Sequence, residues 1–313
     1  MENPSMRSEP DENSGQAPPR HTEAQTQHSE GQKPVGHQQP RRPSVKWGQY
    51  AAVVAVSVMI GILFIHEPGF GDDFTYWSLA FNLHEVGPAA WQVDSFHDLR
   101  WPVWGMIWLS QSVFGPGLVS YYSVPLFYLA AAATIVFAFA RILGFATVGS
   151  WLSVLALLFA PVLDVVIFRP MPDLSEAVFG GCAVLAWWAM MHSGGTRRSW
   201  WLGLLSGLSI GVAFSNRATG IFIAPVLALG TVTLFPRGRW KWLLLPAVAA
   251  SGYFLAECLV YSAVCGDWLH SIHANLGGTR AKDVEPIAAW ALPFRYLGDF
   301  IHGNRLGLSL IHI

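Results

Sequence analysis

Two adjacent acids, Asp72 and Asp73, lie where the chain leaves its first long apolar run. A carboxylate in this position can act as a general base on a hydroxyl group of a membrane-borne substrate. The same residues suit the start of a helix, because a side-chain oxygen there caps backbone N–H groups and an acid in the first turn interacts favourably with the helix dipole. Taken alone, the doublet supports helix capping and catalysis about equally.

The composition is that of a membrane protein. The 313 residues are 52% hydrophobic and 12% charged, whereas an average soluble domain is about 25% charged. A bilayer removes the need for a charged surface. The formal net charge of −1 and the lack of a basic stripe argue against nucleic acid as a partner. The three cysteines and eleven histidines show no disulfide or convincing metal spacing, so neither a metal nor a cofactor is expected.

The first 46 residues are polar and rich in Pro, Gln, Ser and His, so we predict a disordered tail over residues 1–46. Arg41, Arg42 and Lys46 precede the first apolar run and predict that this tail is cytoplasmic. From residue 47 to residue 307 we predict one all-α, polytopic transmembrane domain. Its seven apolar runs of spanning length lie near 47–66, 119–141, 148–168, 174–192, 200–216, 219–236 and 241–264.

The loop charges agree with one orientation of these seven runs. Arg217 interrupts a run too long for one helix, and a turn at Asn216–Thr219 keeps it out of lipid, where it would cost about 2.5–3.5 kcal/mol. Basic loops then fall on the cytoplasmic side, at Arg141, Arg197, Arg198, Arg237, Arg239 and Lys241. The acids fall outside, at Glu67, Asp72, Asp73, Glu85, Asp94, Asp98, Asp173 and Asp267. We therefore predict the plasma (inner) membrane as the location, with the first loop outside.

The first outside loop, near 67–118, is predicted to hold two amphipathic helices on the membrane surface. One begins at the acidic doublet, and the other runs from Pro102 to Phe114 with Trp101, Trp104 and Trp108 on one face. The histidines on this side, including His97, are expected to be solvated or interfacial. Near Pro170 a local pair between Arg169 and Asp173 is expected.

Several short segments together resemble the GT-C class of membrane glycosyltransferases. The segment Gly71-Asp72-Asp73-Phe74-Thr75-Tyr76-Trp77 after a first span is similar to the start of the first outside loop in protein O-mannosyltransferases and lipid A aminoarabinose transferases, which commonly have Asp-Glu there. Residues 100–115, 138–144 and 214–225 resemble later segments of the same families. Residues 169–176 fit an alternative, the Alg-type mannosyltransferase branch, about as well. The resemblance covers about residues 47–265.

This resemblance implies an inverting transfer of a sugar from a polyprenyl-phosphate carrier to a lipid, glycan or protein acceptor on the outer face. Asp72 would be the general base, and Asp73 would orient the acceptor or its neighbour. The phosphate leaving group needs cations, for which Arg217, Arg100 and Arg169 are the candidates. The donor is a substrate, so the resemblance implies no cofactor.

Two further features bear on these expectations. A transporter or flippase is the alternative function, and Glu257 favours it, because an acid inside a predicted span is a functional hint in any class of membrane protein. The last six residues, Leu308–Ile313, resemble the translation of a transposase end sequence used as a sequencing adapter. We expect these six residues to be non-native and the natural protein to continue with more spans.

Overall fold

The computed structural model describes residues 46–65, 67–68, 71–87, 91, 97–160, 169–193, 195 and 197–277. These residues are helical, with no strand among them. The α-helices are α1 (Trp47–Leu63), α2 (Asp72–Val86), α3 (Trp101–Phe114), α4 (Leu118–Ile142), α5 (Thr147–Leu158), α6 (Pro172–His192), α7 (Arg197–Asn216), α8 (Ile223–Leu234), α9 (Leu244–Cys265) and α10 (His270–Gly277), with 3₁₀ helices at Ala218–Phe222 and Arg237–Leu243. The predicted N-terminal tail and the adapter-like C-terminus lie outside the described residues.

Three helical segments are long and apolar enough to cross a membrane: Leu118–Ile142, Pro172–His192 and Gly238–Cys265. The other predicted spans are also helical but shorter or less apolar. Helix α1 has 17 residues and is about 26 Å long at 1.5 Å per residue, and α5 ends at Leu158, with residues 161–168 outside the described part. Helix α7 carries Gly203, Gly207, Gly211 and four serines in place of large apolar side chains. The count of seven spans remains a prediction.

Consecutive long helices alternate in direction. Helices α1, α5, α7 and α9 run one way, and α4, α6 and α8 run the other way. Antiparallel neighbours pair the early residues of one helix with the late residues of the other, whereas parallel neighbours pair residues in the same order. The pairs that establish this are Tyr50–Phe137, Gly61–Leu126, Phe64–Phe159, Phe137–Trp151, Tyr128–Phe179, Ile135–Gly181, Ala183–Ser206, Met190–Gly203, Gly180–Ile223, Trp187–Thr231, Gly203–Leu245 and Ser215–Glu257. The chain therefore reverses at Arg217, between α7 and α8, as the sequence predicted.

The alternation places the acids named next at one end of the bundle, together with Arg100, Arg169 and Arg217, and leaves only cations among the described charged residues in the connecting segments of the other end. One end, here called the acidic end, carries Glu67, Asp72, Asp73, Asp98, Asp173, Glu176 and Asp267. The opposite end, the basic end, carries Lys46, Arg141, Arg197, Arg198, Arg239 and Lys241, and its connecting segments contain no acid among the described residues. This separation agrees with the charge pattern expected across a membrane, although it does not identify the membrane or the orientation.

A stripe of small residues packs α7 closely against α9. Gly203, Gly207 and Gly211 follow one another at four-residue spacing and therefore share one face of α7. A Cβ on Gly207 would lie 2.3 Å from the Pro246 carbonyl oxygen, and one on Gly211 would lie 2.5 Å from the Tyr253 ring. Small residues at this spacing allow helix backbones to approach closely, which is a common packing mode in membranes.

Much of the remaining helix surface is apolar and exposed. Helices α8 and α9 alone expose Val226, Leu229, Val232, Leu234, Leu244, Val248, Leu255 and Leu259. Soluble monomers rarely expose so large an apolar area, so this surface is compatible with lipid contact.

Helices α2 and α3 lie at the places where the two surface helices were expected. Helix α2 buries Asp73 and exposes Asp72 and Phe74, and α3 exposes Leu109, Val113 and Phe114. Helix α2 packs on α3 and α3 packs on α4, while the amphipathic character of the two helices and their position on a membrane surface remain predictions.

Candidate functional site

The two acids of the doublet have different environments at the start of α2. Asp73 is 1% exposed. Its Oδ1 accepts a hydrogen bond from the Gly71 N–H at 3.2 Å, and its Oδ2 accepts one from the Tyr121 hydroxyl in the first turn of α4. The N-cap residue of α2 is Gly71, without a side-chain cap, so neither acid of the doublet is an N-cap and both lie in the first turn of the helix. The hydrogen bond from Tyr121 joins this turn to α4. Asp73 therefore fixes α2 against α4.

Asp72, in contrast, has a side chain that is 48% exposed. Its Oδ1 lies 3.2 Å from Nε2 of His97. His97 is not solvated, one of the two environments expected for it: its side chain is 16% exposed and lies edge-on to the Tyr76 ring. An accessible carboxylate beside an imidazole can take up a proton and pass it on.

Arg100, directly before α3, connects that helix to α2. Its guanidinium donates a hydrogen bond to the hydroxyl of Tyr76, whose side chain is fully buried. Burial raises the pKa of Tyr76 to about 12, against the opposing charge of Arg100, and the negative charges of Asp72 and Asp173 raise it further. The phenol is therefore neutral at physiological pH and does not compensate the positive charge of Arg100.

Arg217 lies in the break after α7, with extended backbone angles of φ −153° and ψ 140°. Its guanidinium donates to Asp173 in the first turn of α6. One turn further along α6, Glu176 accepts a hydrogen bond of 2.6 Å from the Thr219 hydroxyl. The expected local pair between Arg169 and Asp173 is therefore replaced by a long-range pair with Arg217, because the chain reversal places residues 217–219 directly over the start of α6.

Gly220 makes this reversal possible. A Cβ at position 220 would lie 2.5 Å from the Ala213 carbonyl carbon and 2.6 Å from the Phe214 nitrogen. Both atoms belong to the backbone of α7 and cannot move aside like a flexible side chain. The absence of a side chain at residue 220 thus holds Arg217 and Thr219 close to the end of α7.

Electrostatic links join the two halves of the site. The charge of Arg100 is within electrostatic range of Tyr76 in α2 and of Glu176 in α6, and so is the charge of Asp173. Asp72, Arg100 and Arg217, three of the five residues chosen from the sequence, therefore belong to one charged group at the acidic end. Arg169 is exposed and within electrostatic range of Tyr121, the partner of Asp73. All five thus lie at the same end of the bundle.

Several residues of this group were not identified as site residues from the sequence. They are Tyr76, His97, Tyr121, Asp173, Glu176 and Thr219. Tyr76 had a local signal, because it lies four residues after Asp72 and hence on the same helix face. No local pattern marks Tyr121 or Thr219, whose contacts join residues 48 and 43 positions apart.

A second polar group is buried below the site, between α7 and α9. Glu257 is 7% exposed, and its Oε1 accepts a 2.7 Å hydrogen bond from Ser215. The Ser215 hydroxyl also lies 2.9 Å from that of Tyr253. Ser215 is two residues before Arg217, so this group anchors the end of α7 that presents the arginine.

No protein-family model, curated protein or solved structure matches this chain. The functional argument therefore depends on the residues themselves. Within the described segments, no three His, Cys, Asp or Glu side chains are grouped so that they could hold a metal ion. The chemistry that the site can supply is proton transfer at Asp72 and binding of an anionic group by Arg100, Arg217 and Arg169.

Proposed function

We propose that this chain is a multi-pass membrane glycosyltransferase that moves a sugar from a polyprenyl-phosphate carrier to an acceptor hydroxyl at the acidic end of the bundle. The observation that carries the proposal is that an accessible carboxylate, Asp72, lies at the same end of the bundle as Arg100, directly before α3, and Arg217, in the α7–α8 break. A base and a phosphate-binding cation are the two groups that such a transfer requires. The resemblance to GT-C enzymes in residues 71–77 supports the same function.

In this reaction Asp72 accepts the proton of the acceptor hydroxyl while the hydroxyl oxygen bonds to the anomeric carbon. The bond between that carbon and the phosphate oxygen breaks, its electron pair leaves with the polyprenyl phosphate, and the anomeric configuration inverts. His97, 3.2 Å from the Asp72 Oδ1 atom, can orient the base. Of the two roles that the resemblance implied for Asp73, orienting the acceptor or orienting its neighbour, the contacts with Tyr121 and Gly71 support the second.

Arg217 is the leading phosphate-binding residue in this proposal. Its side chain and that of its partner Asp173 are 43% and 37% exposed, and exposed ion pairs contribute only about 0–1 kcal/mol. A phosphate can therefore replace Asp173 at low cost, and a bidentate guanidinium–phosphate contact is stronger than a neutral hydrogen bond. Arg100 and Arg169 add positive charge at the same end.

An apolar groove supports a lipid-linked donor. It has a volume of about 560 Å³ and lies between α7 and α9, with Trp201, Leu205, Leu208, Tyr253 and Ala256 among its lining residues. Leu208 is eight residues from Asn216, which corresponds to about 12 Å along the helix. An isoprenoid chain in this groove would point its phosphate toward the end of α7, where Arg217 lies.

A transporter or flippase is the second candidate, and the buried Glu257 favours it. An acid within a membrane-spanning helix is costly and usually functional. However, Glu257 already accepts a hydrogen bond from Ser215. Among the described residues, it is also the one acid that is buried between the long helices below the candidate site. The first candidate accounts for more of the charged residues.

The test uses the full chain, purified and reconstituted in vesicles that contain labelled polyprenyl-phosphate mannose or polyprenyl-phosphate pentose. Release of free polyprenyl phosphate, followed by mass spectrometry, reports transfer to any acceptor. Asp72→Asn should lower the release at least a hundredfold, since general bases contribute about 10²–10⁴-fold. The matched control is Glu85→Gln, an exposed acid in the last turn of the same helix. Equal rates in the two variants would remove Asp72 as the base.

A further inference from the structure

A cavity at the basic end lies on the opposite side of the bundle from the candidate site. Its volume is about 280 Å³, and its lining residues are Met190, Met191, Gly195, Arg239, Lys241 and Trp242. It opens where α6 ends and where the 3₁₀ helix Arg237–Leu243 leads into α9. The 21 residues of α6 separate it from Asp173 by about 30 Å, so it is a separate site.

The lining of this cavity has the chemistry of an anion site. Met190 and Met191 are buried and form an apolar floor. The cations of Arg239 and Lys241 lie at its rim, and neither forms an ion pair or a side-chain hydrogen bond within the described part of the chain. Two cations without a partner among the described residues, beside a concave apolar surface, attract an amphiphilic anion more strongly than an open surface does.

Tryptophans indicate the depth of the cavity in a membrane. Trp242 forms one wall, and Trp200 packs edge-on against it with a centroid distance of 6.4 Å. Trp200 and Trp240 are exposed at the same end. Tryptophan is enriched at the level of lipid headgroups, where its ring is partly in hydrocarbon and partly in water. The cavity therefore opens at the level at which lipid phosphates lie.

We propose that this cavity binds the phosphate of one anionic phospholipid from the adjacent leaflet, with Arg239 and Lys241 contacting the phosphate and Met190, Met191 and Trp242 contacting the glycerol and upper acyl chain. The proposal rests on the membrane placement in the proposed function and not on sugar transfer. Basic pockets between membrane helices are known to take lipid headgroups through these contacts. The site adds a lipid-binding role that is independent of the acidic end.

The test is native mass spectrometry of the full chain released from an uncharged detergent, titrated with phosphatidylglycerol or with phosphatidylcholine of the same acyl chains. Wild type should retain one phosphatidylglycerol per chain in preference to phosphatidylcholine. The variant Arg239→Gln/Lys241→Gln should bind phosphatidylglycerol about thirtyfold more weakly, since each of the two cations near a lipid surface contributes about 1 kcal/mol. The charge-matched control, Arg197→Gln/Arg198→Gln, removes two exposed cations at the same end that do not line the cavity, and it should retain the affinity.

Three outcomes would overturn the proposal. Equal loss in the two double variants would mean that binding follows overall charge rather than the cavity. Displacement of the lipid by inorganic phosphate at equal concentration would mean that the ligand is free phosphate. If Arg239→Gln/Lys241→Gln bound phosphatidylglycerol as tightly as wild type, these two cations would not be what holds the phosphate. Separately, a chain that did not float with vesicles of either lipid would contradict the membrane placement itself, whereas the transfer assay tests the acidic end alone.

Discussion

The hydroxyl of Tyr121 donates a hydrogen bond to the buried carboxylate of Asp73, and this contact joins the first turn of α4 to the first turn of α2. The next residue back along the chain, Asp72, is accessible and lies beside His97. The doublet therefore combines the two roles that the sequence left open. Asp73 holds the helix in place, and Asp72 remains accessible for chemistry.

Removing the Tyr121 hydroxyl should reduce stability. Tyr121→Phe leaves the buried carboxylate with the Gly71 N–H as its remaining described donor. Hydrogen bonds to charged groups contribute about 1.5–3 kcal/mol, so the unfolding free energy in detergent should fall by about that amount, as measured by denaturant titration. The control is Tyr50→Phe, since the Tyr50 hydroxyl makes no hydrogen bond within the described segments and its ring contact with Phe137 is preserved. Equal stability of the two variants would show that the contact contributes nothing.

Arg217 and Asp173 should have opposite effects on donor binding if Arg217 binds phosphate. Arg217→Gln removes the cation, so the KM for the polyprenyl-phosphate sugar should rise about tenfold or more. Asp173→Asn removes the competing carboxylate, so the KM should fall or stay the same. Both values come from the polyprenyl phosphate release assay. If both variants raised the KM to the same extent, the pair would be a structural ion pair and the phosphate would bind elsewhere.

The sequence predicted the features that depend on local signals. The length of each apolar run placed the helices, and the cost of an arginine in lipid placed the break at residue 217, where α7 does end and the chain does reverse. The doublet at 72–73 also marked the first residues of α2 correctly. These features depend on a few neighbouring residues, so a single sequence contains them.

The partners within the site could not be predicted in this way. Arg217 pairs with Asp173 across 44 positions, whereas the sequence suggested the nearby Arg169. Asp72 approaches His97, which was expected to be solvated or interfacial. Such contacts depend on how α2, α4, α6 and the α7–α8 break meet in space. The seven-span count is similarly open, because α1 and α5 are shorter than the apolar runs that contain them.

Tyr76 should make the stability of the protein depend on pH in the alkaline range. Burial raises its folded-state pKa from 10.0 to about 12, so folding favours the neutral phenol. The stabilisation is complete below pH 10 and is lost as the pH rises from about 10 to about 12, with a slope of up to about 1.4 kcal/mol per pH unit. The unfolding free energy of wild type, relative to that of Tyr76→Phe, should therefore fall by up to about 1.4 kcal/mol per pH unit between pH 10 and pH 12. A constant difference between them would contradict the assigned burial of the phenol.

The close packing of α7 against α9 should position the end of α7 that carries Arg217, and a substitution in the contact can test this. Gly207→Ala would place a methyl group 2.3 Å from the Pro246 carbonyl oxygen and 2.6 Å from the Ala249 Cβ, so the two helices must separate. Overpacking of this kind costs about 1–3 kcal/mol, and separation would also stretch the Ser215–Glu257 hydrogen bond eight residues further along α7. The midpoint of thermal unfolding should fall, and transfer by the folded fraction should fall with it, because Ser215 anchors the segment that presents Arg217.

Gly252→Ala is the matched control, since residue 252 lies in α9 with nothing within 4 Å of the added Cβ. Alanine favours a helix over glycine by about 1 kcal/mol, so the midpoint of this variant should stay the same or rise. If Gly207→Ala lowered the midpoint but left transfer by the folded protein unchanged, the packing of α7 against α9 would stabilise the fold without positioning the site.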